Sequence, residues 1–372
     1  LYAAAADAVV PASSAERLDV VLEALGGLPA GAKMLWAASA SAEYPAYVGR
    51  GVLKQGFWPV TVPGRRFLVT DGAVGRLYGC RLEPLAGRVA IMPGEQSKTV
   101  AHADVVWNEL ARGGMTRGDV VVALGGGVVG DLAGFCAATY QRGVRYVQVP
   151  TTLLAQVDSA YGGKTGVDLP EAKNYVGAYH QPSAVIADAA TLDTLPAAEI
   201  AAGYAEVVKT ALIAGGFLWE LVRRGADPTD PAVISACALT KLRIVAQDER
   251  DAGVRQSLNL GHTVGHAIET VTGYARYRHG EAVGLGLLAA LRLSGLDELR
   301  DEVRELLSNH GLPTALDGAD PDAVVMATAR DKKRVGEGAV PFVLLRAPGE
   351  AMPGCEVESR TLIGAVRELA DR

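Results

Sequence analysis

The stretch DVVVALGGGVVGDLAGFCAATY, Asp119 to Tyr140, decides the fold. It opens on an unbroken apolar run at 120–124, with the length and β-branched character of a strand buried on both faces. Three glycines end that run, and VVGDLAGFCAATY continues as a helix. Gly125, Gly127 and Gly130 satisfy G-x-G-x-x-G between the strand and the helix. In that place glycines let a backbone approach a pyrophosphate and point N–H groups at it. The same glycines also suit a tight turn that binds nothing. Such loops use an acidic residue about twenty positions further on to hold a ribose, and none stands there. Asp71, closing an earlier strand, can take that role. The run Val120 to Tyr140 also has the length of a membrane span, but its glycines and the central Asp131 argue against one.

Outward from this core, RRFLVTD is a strand ending at Asp71, RVAIMPG another ending at Gly94, and YVQVPTT a third; AHADVVWNELARGG is a helix. Short apolar runs alternating with helices predict a mostly parallel sheet covered on both faces. Beyond about Thr191 the chain turns largely helical, with one β-like piece at VPFVLLRAPG. The N-terminal residues predict a short strand, a helix capped by Ser13 or Ser14, and then a looser Ala/Ser/Gly-rich linker. The expected domains are therefore an extension and linker at 1–43, an α/β domain at 44–190 and a helical domain at 191–372. At 372 residues two domains are the natural prior. A net charge of −6 argues against a nucleic-acid partner. The four scattered cysteines, and the lack of a signal-peptide pattern, suit reduced thiols in a soluble cytoplasmic protein.

Three further motifs carry chemistry. SAYGGKTG, Ser159 to Gly166, looks like the end of a phosphate loop, but Asp158 stands where that loop needs its first glycine. A lysine among glycines still suits an anionic group; the plain alternative is a polar loop. His262, His266 and His279 are three of the six histidines and fall within 18 residues. His262 and His266 are i, i+4 and share a helix face, either as a hydrogen-bonded surface pair or as metal ligands. The HExxH arrangement is absent, because Thr263 follows His262. In GYAEVVK, Glu206 and Lys209 are i, i+3 on an apolar helix: a modest ion pair, or part of a site in which Glu206 completes a Glu–His–His set.

Taken in order, PGEQSKT, GGGVVGDLAGF, RGV, VPTTLLAQVDS, GGKTGV, KN-VGA, QP, TLDTLP, AEVVK, DE, LNLGHT-GHAIE, HGEAV and DKK resemble the 3-dehydroquinate synthase family of sugar-phosphate cyclases. The resemblance runs from Tyr47 to Gly349, about four-fifths of the chain. It implies a Rossmann-like α/β N-terminal nucleotide-binding domain plus an all-α C-terminal metal-binding domain. It implies NAD and a divalent metal, zinc or cobalt, and a homodimer. The activity it implies converts 3-deoxy-D-arabino-heptulosonate 7-phosphate to 3-dehydroquinate and phosphate, by transient oxidation, phosphate elimination and intramolecular aldol closure, a step of aromatic amino-acid biosynthesis. Carried over by the same resemblance, Glu206, His262 and His279 are the metal ligands. Asp71, Glu95, Lys98, Gly125, Gly126, Gly127, Asp131, Thr151, Thr152, Lys164, Lys173 and Thr191 lie at the cofactor. Asp158, Lys164, Asn174, Lys209, Lys241, Arg255, Asn259, His266 and one of Lys332 or Lys333 face the substrate. Arg142 is the arginine supplied across the subunit boundary.

Tyr161, Asp168 and Ala172 depart from the common pattern without removing a chemical group of this set. An amino-dehydroquinate synthase shares most of these residues. Within enzymes, an iron-type alcohol or glycerol dehydrogenase is the other architecture of this plan. A non-catalytic nucleotide-binding regulator would have lost Glu206, His262, His279 or Lys164. The first 30 residues resemble instead the C-terminal end of shikimate kinase, where an LY-x₄-AD strand precedes the last helix, so a fused kinase upstream is expected.

Overall fold

The computed structural model describes residues 6–170, 172–332 and 341–370. The chain divides into two compact units, Leu1–Leu195 with Thr229–Glu249, and Pro196–Pro228 with Arg250–Arg372.

The first unit is built on an eight-stranded sheet. Its strands are β1 (Ala8–Val9), β2 (Lys33–Ala38), β3 (Glu43–Gly49), β4 (Arg66–Asp71), β5 (Leu85–Ile91), β6 (Val120–Gly125), β7 (Arg145–Pro150) and β10 (Ala184–Asp188). They run in the order β1-β2-β3-β10-β7-β6-β4-β5. Every pairing is parallel except β2 with β3. β6 lies inside the sheet, and its side chains alternate between two cores. Val120, Val122 and Leu124 join Met34, Tyr47, Leu68 and Ile186 on one face. Val121 and Ala123 join Val69, Val106, Val129 and Leu132 on the other. That two-sided burial is why the sequence shows an apolar run with no alternation.

Four expectations change here. The segment after the N-terminal helix is not a linker: β2 is buried along Met34–Ala37 and belongs to the sheet. The helix Leu18–Leu25 sends Val21 and Ala24 into the core. Its expected serine cap is absent, since Ser13 and Ser14 lie in the 3-10 turn Ala12–Arg17 and Ser14 is fully buried. The polar loop after Asp158 is an antiparallel hairpin, β8 (Lys164–Leu169) with β9 (Ala172–Tyr179). Finally, the helix Pro231–Gln247 belongs to the first unit rather than to the helical one, because its apolar face packs on β2 and β3.

The second unit is helical, with long segments Ala197–Ala214, His262–Val271, His279–Leu293, Asp297–Asn309 and Ser359–Ala370. It also carries an antiparallel pair, β11 (Phe342–Leu345) and β12 (Ala351–Cys355), of which the sequence pattern shows only the first. No helix among the described residues is long and apolar enough to cross a membrane. None of the four cysteines is in a disulfide.

Candidate active site

In the helical unit the site is made by backbones that approach closely. A Cβ on Gly280 would lie 1.8 Å from the carbonyl oxygen of Ala202, and one on Gly286 would lie 1.9 Å from that of Gly261. These two glycines let the helix His279–Leu293 press against both the helix Ala197–Ala214 and the start of the helix His262–Val271. Glu206, one turn beyond Ala202, thereby meets the two histidines. Its Oε1 lies 3.2 Å from His279 Nε2 and 3.6 Å from His262 Nε2. Its Oε2 lies 2.5 Å from Lys209 Nζ, and both residues are 1% exposed. The i, i+3 pair is therefore no surface ornament.

The three histidine rings cluster, with centroids 5.2 Å apart for His262 and His266, 5.3 Å for His262 and His279, and 5.8 Å for His266 and His279. Their nearest ligand atoms all fall within 4.8 Å of one another. His266 is exposed, whereas His262 is largely buried. Burial, aided by the Lys209 charge, pushes the pKa of His262 down to about 3, leaving a neutral imidazole with a lone pair to give. Burial also opposes charge on His279, but hydrogen bonds to Glu206 and Glu269 outweigh it and push that pKa up to about 10. Imidazole nitrogens and a carboxylate oxygen brought this close are the kinds of donor that divalent-metal sites use. Arg255 is buried in the 3-10 segment Val254–Asn259, and Asn259 ends that segment exposed. Lys332 closes the helix Pro321–Lys332, and Lys333 lies outside the described residues.

In the α/β unit the glycine turn stands as the spacing predicted. Gly126 is the extended residue before the helix Gly127–Thr139. A Cβ there would come 2.8 Å from Thr152 Cγ2, so glycine answers to space rather than to a left-handed backbone. Thr151 donates its backbone N–H to the Gly125 carbonyl at 2.9 Å, while its own hydroxyl is buried with no hydrogen-bond partner. Thr152 Oγ1 accepts from Ala155 N at 3.2 Å. Buried Lys98 binds Asp131 Oδ2 at 2.7 Å and lies 3.9 Å from Glu95. Burial works against its charge, but Asp131 and Glu95 hold its pKa above the ordinary value. Lys173 Nζ lies 3.8 Å from the same Glu95 carboxylate.

Other candidates in this unit have structural duties. Asp71 Oδ1 accepts from Ala73 N and Val74 N, both at 2.8 Å, and so caps the helix Gly72–Tyr78. The Thr191 hydroxyl donates to the Asp188 carbonyl and accepts from Gln156. Lys241 binds the Asp158 carbonyl at 2.8 Å and its carboxylate Oδ1. Lys164 and Asn174 are exposed on the hairpin, Asn174 with a left-handed backbone whose N–H donates to Asp168 Oδ1 at 2.6 Å. Arg142 is also left-handed and exposed, at the end of the turn Tyr140–Arg142. The motif reading did not single out Glu249, which accepts from Ser41 N at 2.9 Å and Gln181 Nε2 at 2.8 Å. Nor did it single out Glu269, although its seven-residue spacing from His262 was visible.

A doubly covered parallel sheet with a glycine turn, and a helical unit that gathers histidines around a buried carboxylate, define an enzyme of the nucleotide- and metal-dependent class. The 3-dehydroquinate synthase N-terminal family profile matches residues 88–202, and the 3-dehydroquinate synthase C-terminal profile matches residues 203–334. The 3-dehydroquinate synthase of Halorhodospira halophila is 46% identical over 339 residues, covering 85% of this chain and 94% of that protein. Among solved structures, 2-deoxy-scyllo-inosose synthase complexed with carbaglucose-6-phosphate, NAD+ and Co2+ is 25% identical with a TM-score of 0.79, covering 90% of this chain and 99% of its own. The 2-epi-5-epi-valiolone synthase of Streptomyces hygroscopicus subsp. jinggangensis, with NAD+ and Zn2+ bound, is 26% identical with the same TM-score of 0.79, covering 90% and 98%. The chain belongs to the 3-dehydroquinate synthase family.

Proposed function

We propose that this chain is a 3-dehydroquinate synthase, a phosphate-eliminating cyclase that takes the heptulosonate phosphate to 3-dehydroquinate and uses NAD and a divalent metal, zinc or cobalt. The observation that carries the reading is the Glu206–His262–His279 set, its carboxylate buried, with Lys209 locked against it. Both groups fit the residues present. The Thr151 hydroxyl lies buried and unpartnered beside a glycine turn that a Cβ would fill, as a nucleotide cradle requires. The neutral His262 imidazole and the Glu206 carboxylate are donors suited to a borderline-soft divalent ion.

When bound, NAD and the cation supply a hydride acceptor and a Lewis acid for vicinal hydroxyls. The chain's own residues position and neutralise. In the α/β unit Glu95, Lys98, Asp131, Thr151, Thr152 and Lys173 take the cofactor. Asp158 is held by Lys241 and orients a reacting hydroxyl, while Lys164 and Asn174 suit the substrate phosphate. In the helical unit Lys209 holds Glu206 in place. Arg255 suits a carboxylate, Asn259 a hydroxyl and His266 a phosphate. Little acid–base machinery is needed where the departing phosphate itself takes the proton, so catalysis rests on placement and charge. Arg142, exposed on its strained turn, is the residue we assign to a neighbouring subunit in a homodimer. The test is phosphate release from the heptulosonate phosphate by metal-loaded protein. Stoichiometric release without net NADH supports the reading; NADH accumulating with turnover points to a dehydrogenase and overturns it.

A further inference from the structure

Glu269 is a buried acid that the reading above leaves unused. It is 4% exposed and lies two turns along from His262 on the same face of the helix His262–Val271. An ionised carboxylate at that depth costs several kcal/mol unless it is paired. Its Oε2 lies 3.3 Å from Nδ1 of His279, at the head of the next helix. The other ring nitrogen, Nε2, lies 3.2 Å from Glu206 Oε1. The His279 ring is thus gripped from both sides by carboxylates. His262 is held differently, since its Nδ1 faces the neutral carbonyl of Leu260 at 3.2 Å.

We propose that Glu269 is the positioning residue of the metal centre: it accepts the hydrogen bond of His279 Nδ1–H, fixing the tautomer and ring plane in which Nε2 is the ligand atom. The proposal rests on the assignment of Glu206, His262 and His279 as ligands. A carboxylate behind a ligating imidazole sets its orientation and makes the ligating nitrogen more basic, and its removal commonly weakens metal binding by about 10–100-fold. His262, backed only by a carbonyl, lacks this support, so the two histidine ligands are inequivalent. Helix geometry makes the contact available. Seven residues bring Glu269 round to the face of His262, and the close approach of the two helices at Gly265 and Gly286 brings His279 within its reach.

The test is titration of the metal-stripped, NAD-containing full chain with Zn2+ against a chromophoric chelator, for wild type, Glu269→Ala, Glu269→Gln and Glu281→Gln. Glu269→Ala is expected to bind Zn2+ about 10–100-fold more weakly. Glu269→Gln, whose amide oxygen still accepts from Nδ1–H, is expected to lose less. Glu281→Gln removes a carboxylate from the same helix start, one engaged by the Arg278 backbone, and is expected to bind as wild type does. The visible spectrum of the Co2+-loaded Glu269 variants should shift, which a merely structural role would not produce. Wild-type affinity in Glu269→Ala, or equal losses in Glu281→Gln and Glu269→Gln, overturns the proposal. If Glu269→Ala does not fold, the Gln pair decides alone. Wild-type protein that takes up no Zn2+ overturns the ligand assignment itself, a separate result.

Discussion

The glycine turn of the α/β unit and the histidine cluster of the helical unit both depend on glycine for space, yet they treat charge in opposite ways. Around the turn, candidate residues also serve the scaffold: Asp71 caps a helix, and the Thr191 hydroxyl is used up by Asp188 and Gln156. The Lys98–Asp131 pair keeps a partly exposed acid, its side chain 21% exposed. In the helical unit Glu206 and Lys209 are both sealed at 1% exposure in an otherwise apolar helix. Apolar side chains of similar volume there would fold as well or better. Buried charge with no scaffold duty therefore marks function more sharply than a motif whose residues hold the fold together.

That contrast breaks most visibly at the two lysines. Lys209→Met removes the buried partner of Glu206 Oε2 and leaves that carboxylate only its contacts on the histidine side, which is expected to cost about 3–5 kcal/mol in the cation-free protein. Part of the loss should return on adding Zn2+, because the cation neutralises the same carboxylate. Lys98→Met leaves an acid with access to water and should cost distinctly less. Denaturant unfolding of both variants, with and without Zn2+, measures the difference; equal losses would remove the distinction between the units.

The glycines give the next largest effect. The Cβ of Gly280→Ala would meet a backbone carbonyl, which cannot turn aside, so a loss of about 3 kcal/mol and weakened Zn2+ binding are expected. The Cβ of Gly126→Ala would meet the Thr152 side chain, which can rotate, so stability should fall less while NAD affinity drops. Thermal melting together with the two ligand titrations separates these outcomes.

Asp71 sharpens the comparison from the other side. Asp71→Ala should cost about 1 kcal/mol through the lost helix cap. Asp71→Asn keeps the cap, so its stability should stay near wild type. A fall in NAD affinity in Asp71→Asn would show a second duty at the ribose; unchanged affinity would leave Asp71 a cap alone.

Much of this was legible in the sequence, for unequal reasons. The turn at Gly125–Gly127 was clear because two physical periods meet there, a two-sided strand and a helix. The i, i+4 histidines and the i, i+3 Glu206–Lys209 pair were visible because helical spacing is local. β2 was not, because its KMLWAA carries little β-branched character to set against an Ala-rich surround. Nor was the return of the helix Pro231–Gln247 to the first unit, which depends on what its apolar face meets across the chain. The clamp on Glu249 stayed hidden likewise, since Ser41 and Gln181 lie far away in sequence.

The two histidine shifts act in separate pH windows in the cation-free protein. The folded pKa of His262 is lowered to about 3 from an ordinary 6.5. Its neutral form thus stabilises the fold above pH 6.5, and that contribution fades as pH falls from 6.5 towards 3. The folded pKa of His279 is raised to about 10, so its stabilising contribution is full below pH 6.5 and fades as pH rises from there towards 10. Together they place the stability maximum of the helical unit near neutrality. They also fix the proton count of metal uptake, because a ligating imidazole must be neutral. At pH 8 His262 has no proton to give, and His279 has one. Zn2+ binding at pH 8 should therefore release about one proton from this pair. Calorimetry in buffers of different ionisation enthalpy measures that number, and zero release would mean that His279 is already neutral and that its grip by Glu206 and Glu269 is weaker than the geometry implies.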